Sequence, residues 1–344
     1  MAATWDPFRS ALRLSAVGLA CALLGCAANK PAKSVGQTTQ IELADADDSP
    51  AASSQEKLPA DIVLRARRGW SGYRASDGRA FEQESLLSSL ASADALCVGE
   101  RHDSAVDHFA QLSVIEGLLE RRSMRGFQLG IGLEMVRARF APELSGYQRD
   151  FFSLEELAQR VEWETEWGYP IEYYAPQLEA AQVFGAELLS LGVAKETTKA
   201  IAAQGLAQLH PSLRDRLPKL YLHNRTHRGL FEELMAGHPL GADKLEHEKT
   251  LQRYYEAQVV WDESMARDGA AFLMAHRPGR KLVILAGIAH CHRSAIPQRL
   301  ERRTGLRVVS VLPVEGGEAI ARGKQDTVDE LIAQGYDYQM VFER

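Results

Sequence analysis

Two stretches decide the fold: Ala95-Leu96-Cys97-Val98-Gly99-Glu100-Arg101-His102 and Leu282-Val283-Ile284-Leu285-Ala286-Gly287-Ile288-Ala289-His290. Each is a short apolar run closed by Gly-x-x-His. A run that is apolar on both faces marks a central strand of a parallel sheet, with helices covering both sides. Leu129–Leu133, which ends at Glu134, and Leu188–Leu191, which ends at Gly192, read the same way. Val308–Leu312 and Gln339–Phe342 are two later strands.

Helices lie between the runs. Ala105–Arg121 carries apolar residues at Val106, Phe109, Leu112, Val114, Leu118 and Leu119. A second helix spans Pro176–Phe184, with proline at its first position and Gly185 just past its end. Residues 192–280 break the rhythm, with little strand signal and a long helix expected over Glu246–Ala275. The reading is an α/β fold: a mostly parallel central sheet flanked by helices, with a helical insertion or cap over about 192–280.

Composition narrows the function. The 344 residues hold 40 Lys+Arg against 46 Asp+Glu, a net charge of −6, which gives no basic footprint for nucleic acid. A hydrophobic fraction of 45% supports a core without staples, and four cysteines are too few for a disulfide scaffold.

The first 60 residues read as an address and a tether. Arg9 and Arg13 precede an uncharged, mostly apolar run, Leu14–Leu24, too short to span a bilayer. It closes on Leu23-Leu24-Gly25-Cys26, which resembles a bacterial lipobox. The expectation is a signal peptide over 1–25, lipid on Cys26, a flexible tether to residue 60 and a folded domain over 61–344. Ala27 at the next position, rather than Asp, favours the outer membrane by resemblance to envelope lipoproteins, with the domain facing the periplasm. Only Cys97 and Cys291 then remain, either as small buried residues or as a disulfide between strand ends.

Ligands of open α/β sheets bind at the carboxyl ends of the strands. If the two Gly-x-x-His strands are neighbours, His102 and His290 share one rim, with Glu100 in the first motif and Glu134 ending a third strand. His108 lies close by in sequence. Imidazole and carboxylate together suit Zn or Mn, or serve as general acid and base without metal. Gln258-Val259-Val260-Trp261-Asp262-Glu263 is the second cluster. Asp262 shares a helical stripe with Tyr255, Val259 and Ala266, so it either points at the histidines or holds an arginine. The third cluster, Trp163–Pro176, is dense in aromatics and places Tyr173 and Tyr174 before a helix. Phenolate is an axial ligand of haem iron, and aromatic rings offer stacking faces. His223 and His227 are spaced for a helical metal site but lack a nearby Glu, and are read as an exposed polar loop.

Together these motifs resemble the ChaN-like family of haem-iron-binding lipoproteins, within the superfamily of TraB, Tiki and erythromycin-esterase-like proteins. The residues that carry the resemblance are Val98–His102, His108, Gln111, Gly132–Met135, Trp167–Tyr169, Ala257–Ala266, Leu285–His290 and Ile296-Pro297. The last motif departs from the family, which usually has Gly-Asn-Gly-His where this chain has Gly287-Ile288-Ala289-His290, and glycine where it has Ala295. The resemblance implies envelope attachment, ferric haem as cofactor, a tyrosinate ligand near Tyr173 or Tyr174, and a homodimer around stacked haems. No Cys-x-x-Cys-His motif is present, so such a haem is exchangeable. The rival expectation is a metal-dependent hydrolase using His102, Glu134 and His290, with Gln258, Asp262 and Glu263 in support.

Overall fold

The computed structural model describes residues 69–343, apart from 239, 242, 277–278, 317–318 and 320–327. The signal, the Cys26 lipidation site and the tether lie outside the described residues. Eight strands form one sheet: β1 Trp70–Arg74, β2 Ala80–Phe81, β3 Ala95–Glu100, β4 Gln128–Arg137, β5 Glu187–Gly192, β6 Arg280–Gly287, β7 Val308–Glu315 and β8 Tyr338–Phe342. Their spatial order is β2-β1-β8-β7-β3-β6-β4-β5. The β1–β2 and β1–β8 pairs are antiparallel and the rest are parallel.

The two-sided apolar runs occupy the middle of this sheet. Along β3, Leu96 and Val98 enter one core while Ala95 and Cys97 enter the other. Along β6, Val283 and Leu285 face the first core, and Leu282, Ile284 and Ala286 the second. Strand alternation thus sends each run into both layers, which removes the need for a polar face.

The helices are α1 Gln83–Leu90, α2 Ala105–Arg125, α3 Ala141–Gln148, α4 Leu154–Arg160, α5 Ala175–Phe184, α6 Lys195–Gln204, α7 Arg225–Met235, α8 Lys244–Ala275, α9 Ile296–Thr304 and α10 Val328–Gln334, with short turns between. Local chemistry sets several ends. Ser104 caps α2 by accepting from the Asp107 amide, and Gly126 ends it in the left-handed region. Pro176 stands in the first turn of α5, and Gly185 ends it the same way. Residues 195–275 contain no strand among those described, and α8 runs for 32 residues against β5, β6, α6 and α9. The insertion therefore covers one face of the sheet. No helix among the described residues is long and apolar enough to cross a membrane.

Two departures from the sequence reading have physical causes. β4 does not stop at Glu134 but continues to Arg137, and its pairing with β5 slips between Leu133 and Arg137. This irregularity re-aims the strand where Glu134 reaches the rim. β1, which the sequence reading leaves out, is short and lies between β2 and β8 near the edge.

Candidate functional site at the β3–β6 rim

β3 and β6 are hydrogen-bonded neighbours, with Gly99 opposite Ala286 and Glu100 opposite Gly287. Both Gly-x-x-His turns therefore leave the sheet side by side. The glycines permit this approach. A Cβ on Gly99 would lie 2.5 Å from the Tyr336 hydroxyl and 3.2 Å from the Ile288 Cα. A Cβ on Gly287 would lie 3.1 Å from His102 Cε1 and 3.7 Å from His290 Cδ2, so the two imidazoles meet across this residue. Arg101 locks the first turn: its amide donates to Asp107 over 2.7 Å, and its guanidinium adds two bonds of 2.6 and 2.9 Å.

Glu100 is fully buried and holds its side of the rim. Its Oε1 accepts from His102 Nδ1 at 2.8 Å and from the Tyr174 hydroxyl at 2.5 Å. Its Oε2 accepts from Gln111 Nε2 at 2.6 Å and lies 3.6 Å from His108 Nδ1. Burial pushes the Glu100 carboxyl up, but His108, His102 and the Tyr174 bond outweigh it and hold it at about 2. Burial lowers His102, yet the Glu100 bond and the charges of Glu100 and Glu134 raise it overall.

The opposite side is built on His290. Its Nδ1 lies 2.6 Å from Asp262 Oδ1 and 3.1 Å from Gln258 Nε2, and its Nε2 lies 3.4 Å from Glu134 Oε1. Glu134 also accepts from the Gly287 amide at 2.7 Å, which ties β4 to the turn of β6. Burial lowers His290, but Glu134 and Asp262 raise it overall. Asp262 is held well below the usual carboxylate range because Arg299, His227 and His290 outweigh its burial.

Both rim histidines thus direct Nδ1 to a carboxylate, which fixes the ring and makes Nε2 the working nitrogen. Such imidazoles ligate a metal or transfer protons. Among the described residues no group of three or more His, Cys, Asp and Glu side chains is placed to hold a metal ion by itself. The carboxylates are engaged with the histidines instead.

The aromatic segment closes over His102. Trp167 stands 4.7 Å from the His102 ring, edge-on, and Tyr169 stands 5.1 Å away. Tyr173 stacks on His108 at 5.0 Å and 17°. Trp167, Tyr169 and Tyr173 are only partly buried, whereas Tyr174 is inside. Burial and the Glu100 charge raise the Tyr174 phenol well above its ordinary value. In this structure the Tyr174 hydroxyl donates to Glu100, while Tyr173, the other candidate, stacks on His108. The shallow cleft of about 470 Å³ lined by Tyr147, Asp150 and Glu179 involves none of these residues.

Not every sequence candidate joins the rim. Glu100, His102, His108, Glu134, Gln258, Asp262 and His290 converge. Glu263, one residue from Asp262, turns to Arg302, Arg303 and Arg299, and accepts from the Tyr221 amide. His227 overturns its reading as part of an exposed loop. It is 2% exposed and lies 3.0 Å from Asp262 Oδ2. The signal was available: His227, Leu230, Phe231 and Met235 make one buried stripe of α7. Arg299 and Arg137 also escaped the sequence reading. Arg137 is buried with Glu166 and sits over the Trp261 ring at 5.2 Å. Cys97 and Cys291 are joined, so β3 is stapled to the residue that follows His290.

A family profile described as "Haem-binding uptake, Tiki superfamily, ChaN" matches residues 86–300. The chain belongs to this family. The match takes in both Gly-x-x-His turns, the aromatic segment and the helical insertion of this ChaN-type chain. No curated protein matches it. Among solved structures, ChaN of Campylobacter jejuni, described for cofacial heme binding, is similar in fold: 18% identity over 81% of this chain and 98% of that one, with a TM-score of 0.60. A mutant of the erythromycin esterase EreC in its open conformation is more distant, with 14% identity, 79% and 82% coverage and a TM-score of 0.42. A Bacillus cereus protein matches at 12% identity, 83% and 97% coverage and the same TM-score of 0.42.

Proposed function

We propose that this protein binds haem at the β3–β6 rim, with His102 supplying the iron ligand and the aromatic segment supplying the wall. The observation that carries this reading is the Glu100–His102 pair beneath Trp167 and Tyr169. A carboxylate on Nδ1 orients an imidazole and raises its basicity toward a metal at Nε2. Partly exposed aromatic rings suit a flat macrocycle. Haem bound there supplies an iron centre, in the ferric state on our reading. His102 would hold the iron, Trp167 and Tyr169 beside it would line the wall, and Tyr174 keeps Glu100 in place.

We further propose that the chain is an outer-membrane lipoprotein, anchored at Cys26 and facing the periplasm, that serves haem-iron uptake. The disulfide supports an oxidising compartment. A homodimer around stacked haems is part of the same proposal, suggested by the cofacial heme described for the Campylobacter protein.

The test is a hemin titration of the purified domain. The expected result is a saturating Soret shift that is strongly reduced in His102→Ala. Absence of a saturating shift in the wild-type protein overturns the haem reading, and an unchanged shift in His102→Ala overturns the assignment of the ligand. Labelled palmitate is expected to enter the chain and to be lost in Cys26→Ala. A second reading, hydrolysis by His102, Glu134 and His290 as acid and base, with or without Zn or Mn, is favoured by the two carboxylate–imidazole pairs. Ester turnover that is lost in His290→Ala, with no hemin shift, would establish it.

A further inference from the structure

Asp262 is shared by two buried histidines that come from different parts of the chain. Its Oδ1 lies 2.6 Å from His290 Nδ1 at the rim, and its Oδ2 lies 3.0 Å from His227 Nε2 on α7. Asp262 is 0% exposed, His290 1% and His227 2%, so water does not compete for these positions.

The other nitrogen of His227 fixes where its proton sits. Arg299 Nη2 is 3.2 Å from His227 Nδ1, and the Tyr255 hydroxyl is 3.3 Å from the same atom. A guanidinium can only donate, so Nδ1 must accept and the proton of a neutral ring must sit on Nε2, facing Asp262. Burial and the Arg299 charge lower His227, in keeping with a neutral ring. Arg299 is itself held by the Ser294 carbonyl at 2.6 Å. His227 thus presents its Nε2–H 3.0 Å from Asp262 Oδ2, in contact but not in line for a hydrogen bond, and His290 Nδ1 donates to Asp262 Oδ1 with the Gln258 amide turned so that its oxygen, not its nitrogen, faces that atom.

We propose that His227 is a positioning residue of the rim: through Asp262 it fixes the ring and tautomer of His290, so that His290 Nε2 faces Glu134. The helical insertion is then a structural part of the site and not a separate cover. A carboxylate packed between two buried imidazoles has little room to rotate and so keeps its partner in place. The inference does not depend on haem, because it concerns only this chain's own residues.

Nitrogen-15 NMR of histidine-labelled, unliganded protein tests it. In the wild type, His227 is expected as the neutral Nε2–H tautomer, and His290 is expected to carry a slowly exchanging Nδ1–H. His227→Leu removes the N–H that lies against Asp262 Oδ2. There the His290 Nδ1–H is expected to exchange with water roughly tenfold faster or more, as for loss of one buried contact to a charged group. His227→Gln returns an N–H donor and is expected to restore slow exchange. The proposal is overturned if wild-type His227 is the Nδ1–H tautomer, or if His227→Leu leaves the His290 signals unchanged. If His227→Leu does not fold, the wild-type tautomer decides alone.

Discussion

The Tyr174 hydroxyl donates to Glu100 over 2.5 Å while Trp167 Nε1 donates to that hydroxyl over 3.0 Å. The phenol is thereby committed in both directions, with its oxygen accepting from indole and its proton on a buried carboxylate. Deprotonating it would place two negative charges side by side in a dry site. Of the two tyrosines before α5, only Tyr173 keeps partial exposure.

Tyr174→Phe is therefore expected to cost stability and spare ligand binding. The loss of one hydrogen bond to a charged group predicts a drop of about 1.5–3 kcal/mol in unfolding free energy, read by urea titration. The hemin Soret shift is expected to remain saturable in this variant. A folded Tyr174→Phe protein with no hemin response would return the phenol to the ligand set.

Stability should follow a bell in pH that Glu100 and His102 shape together. Glu100 is depressed from 4.5 to about 2, so its contribution is full above pH 4.5 and lost as pH falls toward 2. His102 is raised from 6.5, so its contribution is full below pH 6.5 and lost as pH rises through the raised value. The two shifts share one interaction and are not counted twice. Urea midpoints measured across pH are expected to be flattened on both limbs in Glu100→Gln. A wild-type profile identical to that of the variant would refute the pairing.

Glu263 tests whether neighbours in sequence share a role. It lies beside Asp262 on α8 but serves three arginines of α9. Glu263→Ala is expected to cost about 3 kcal/mol, the low end for a broken buried pair, because Arg302 and Arg303 also reach solvent. The hemin titration of the folded fraction is expected to be unchanged. A selective loss of binding at full stability would move Glu263 to the rim.

Much of this arrangement was legible because the central strands are apolar on both faces. Ala95–Val98 and Leu282–Ala286 advertise parallel neighbours, and their Gly-x-x-His ends mark the rim. β1 was silent because Trp70-Ser71-Gly72-Tyr73 is short and mixed, and its glycine exists to admit Leu86: a Cβ there would lie 2.5 Å from Leu86 Cδ2. The strand order was silent too, since β6 returns from the far end of the insertion to sit between β3 and β4. The burial of His227 is legible in the i, i+3, i+4, i+8 stripe it shares with Leu230, Phe231 and Met235, but its partner, Asp262, lies in another helix, and pairing across helices leaves no spacing signal.

The disulfide yields the last prediction. Cys97 lies in β3, five residues before His102, and Cys291 directly follows His290; both are 0% exposed, and the link spans 194 residues. Closing a loop of that length restricts the unfolded chain, and removing such a bridge typically costs about 2–5 kcal/mol. The double variant Cys97→Ala/Cys291→Ala is expected to lose that much in a urea titration. Non-reduced, denatured wild-type protein lacking Cys21 and Cys26 is expected to show no reactive thiol, and two after reduction. Because the staple joins β3 to the His290 turn, the double variant is also expected to bind hemin more weakly under conditions where it is fully folded. Equal affinity there would confine the bridge to stability and remove it from the assembly of the rim.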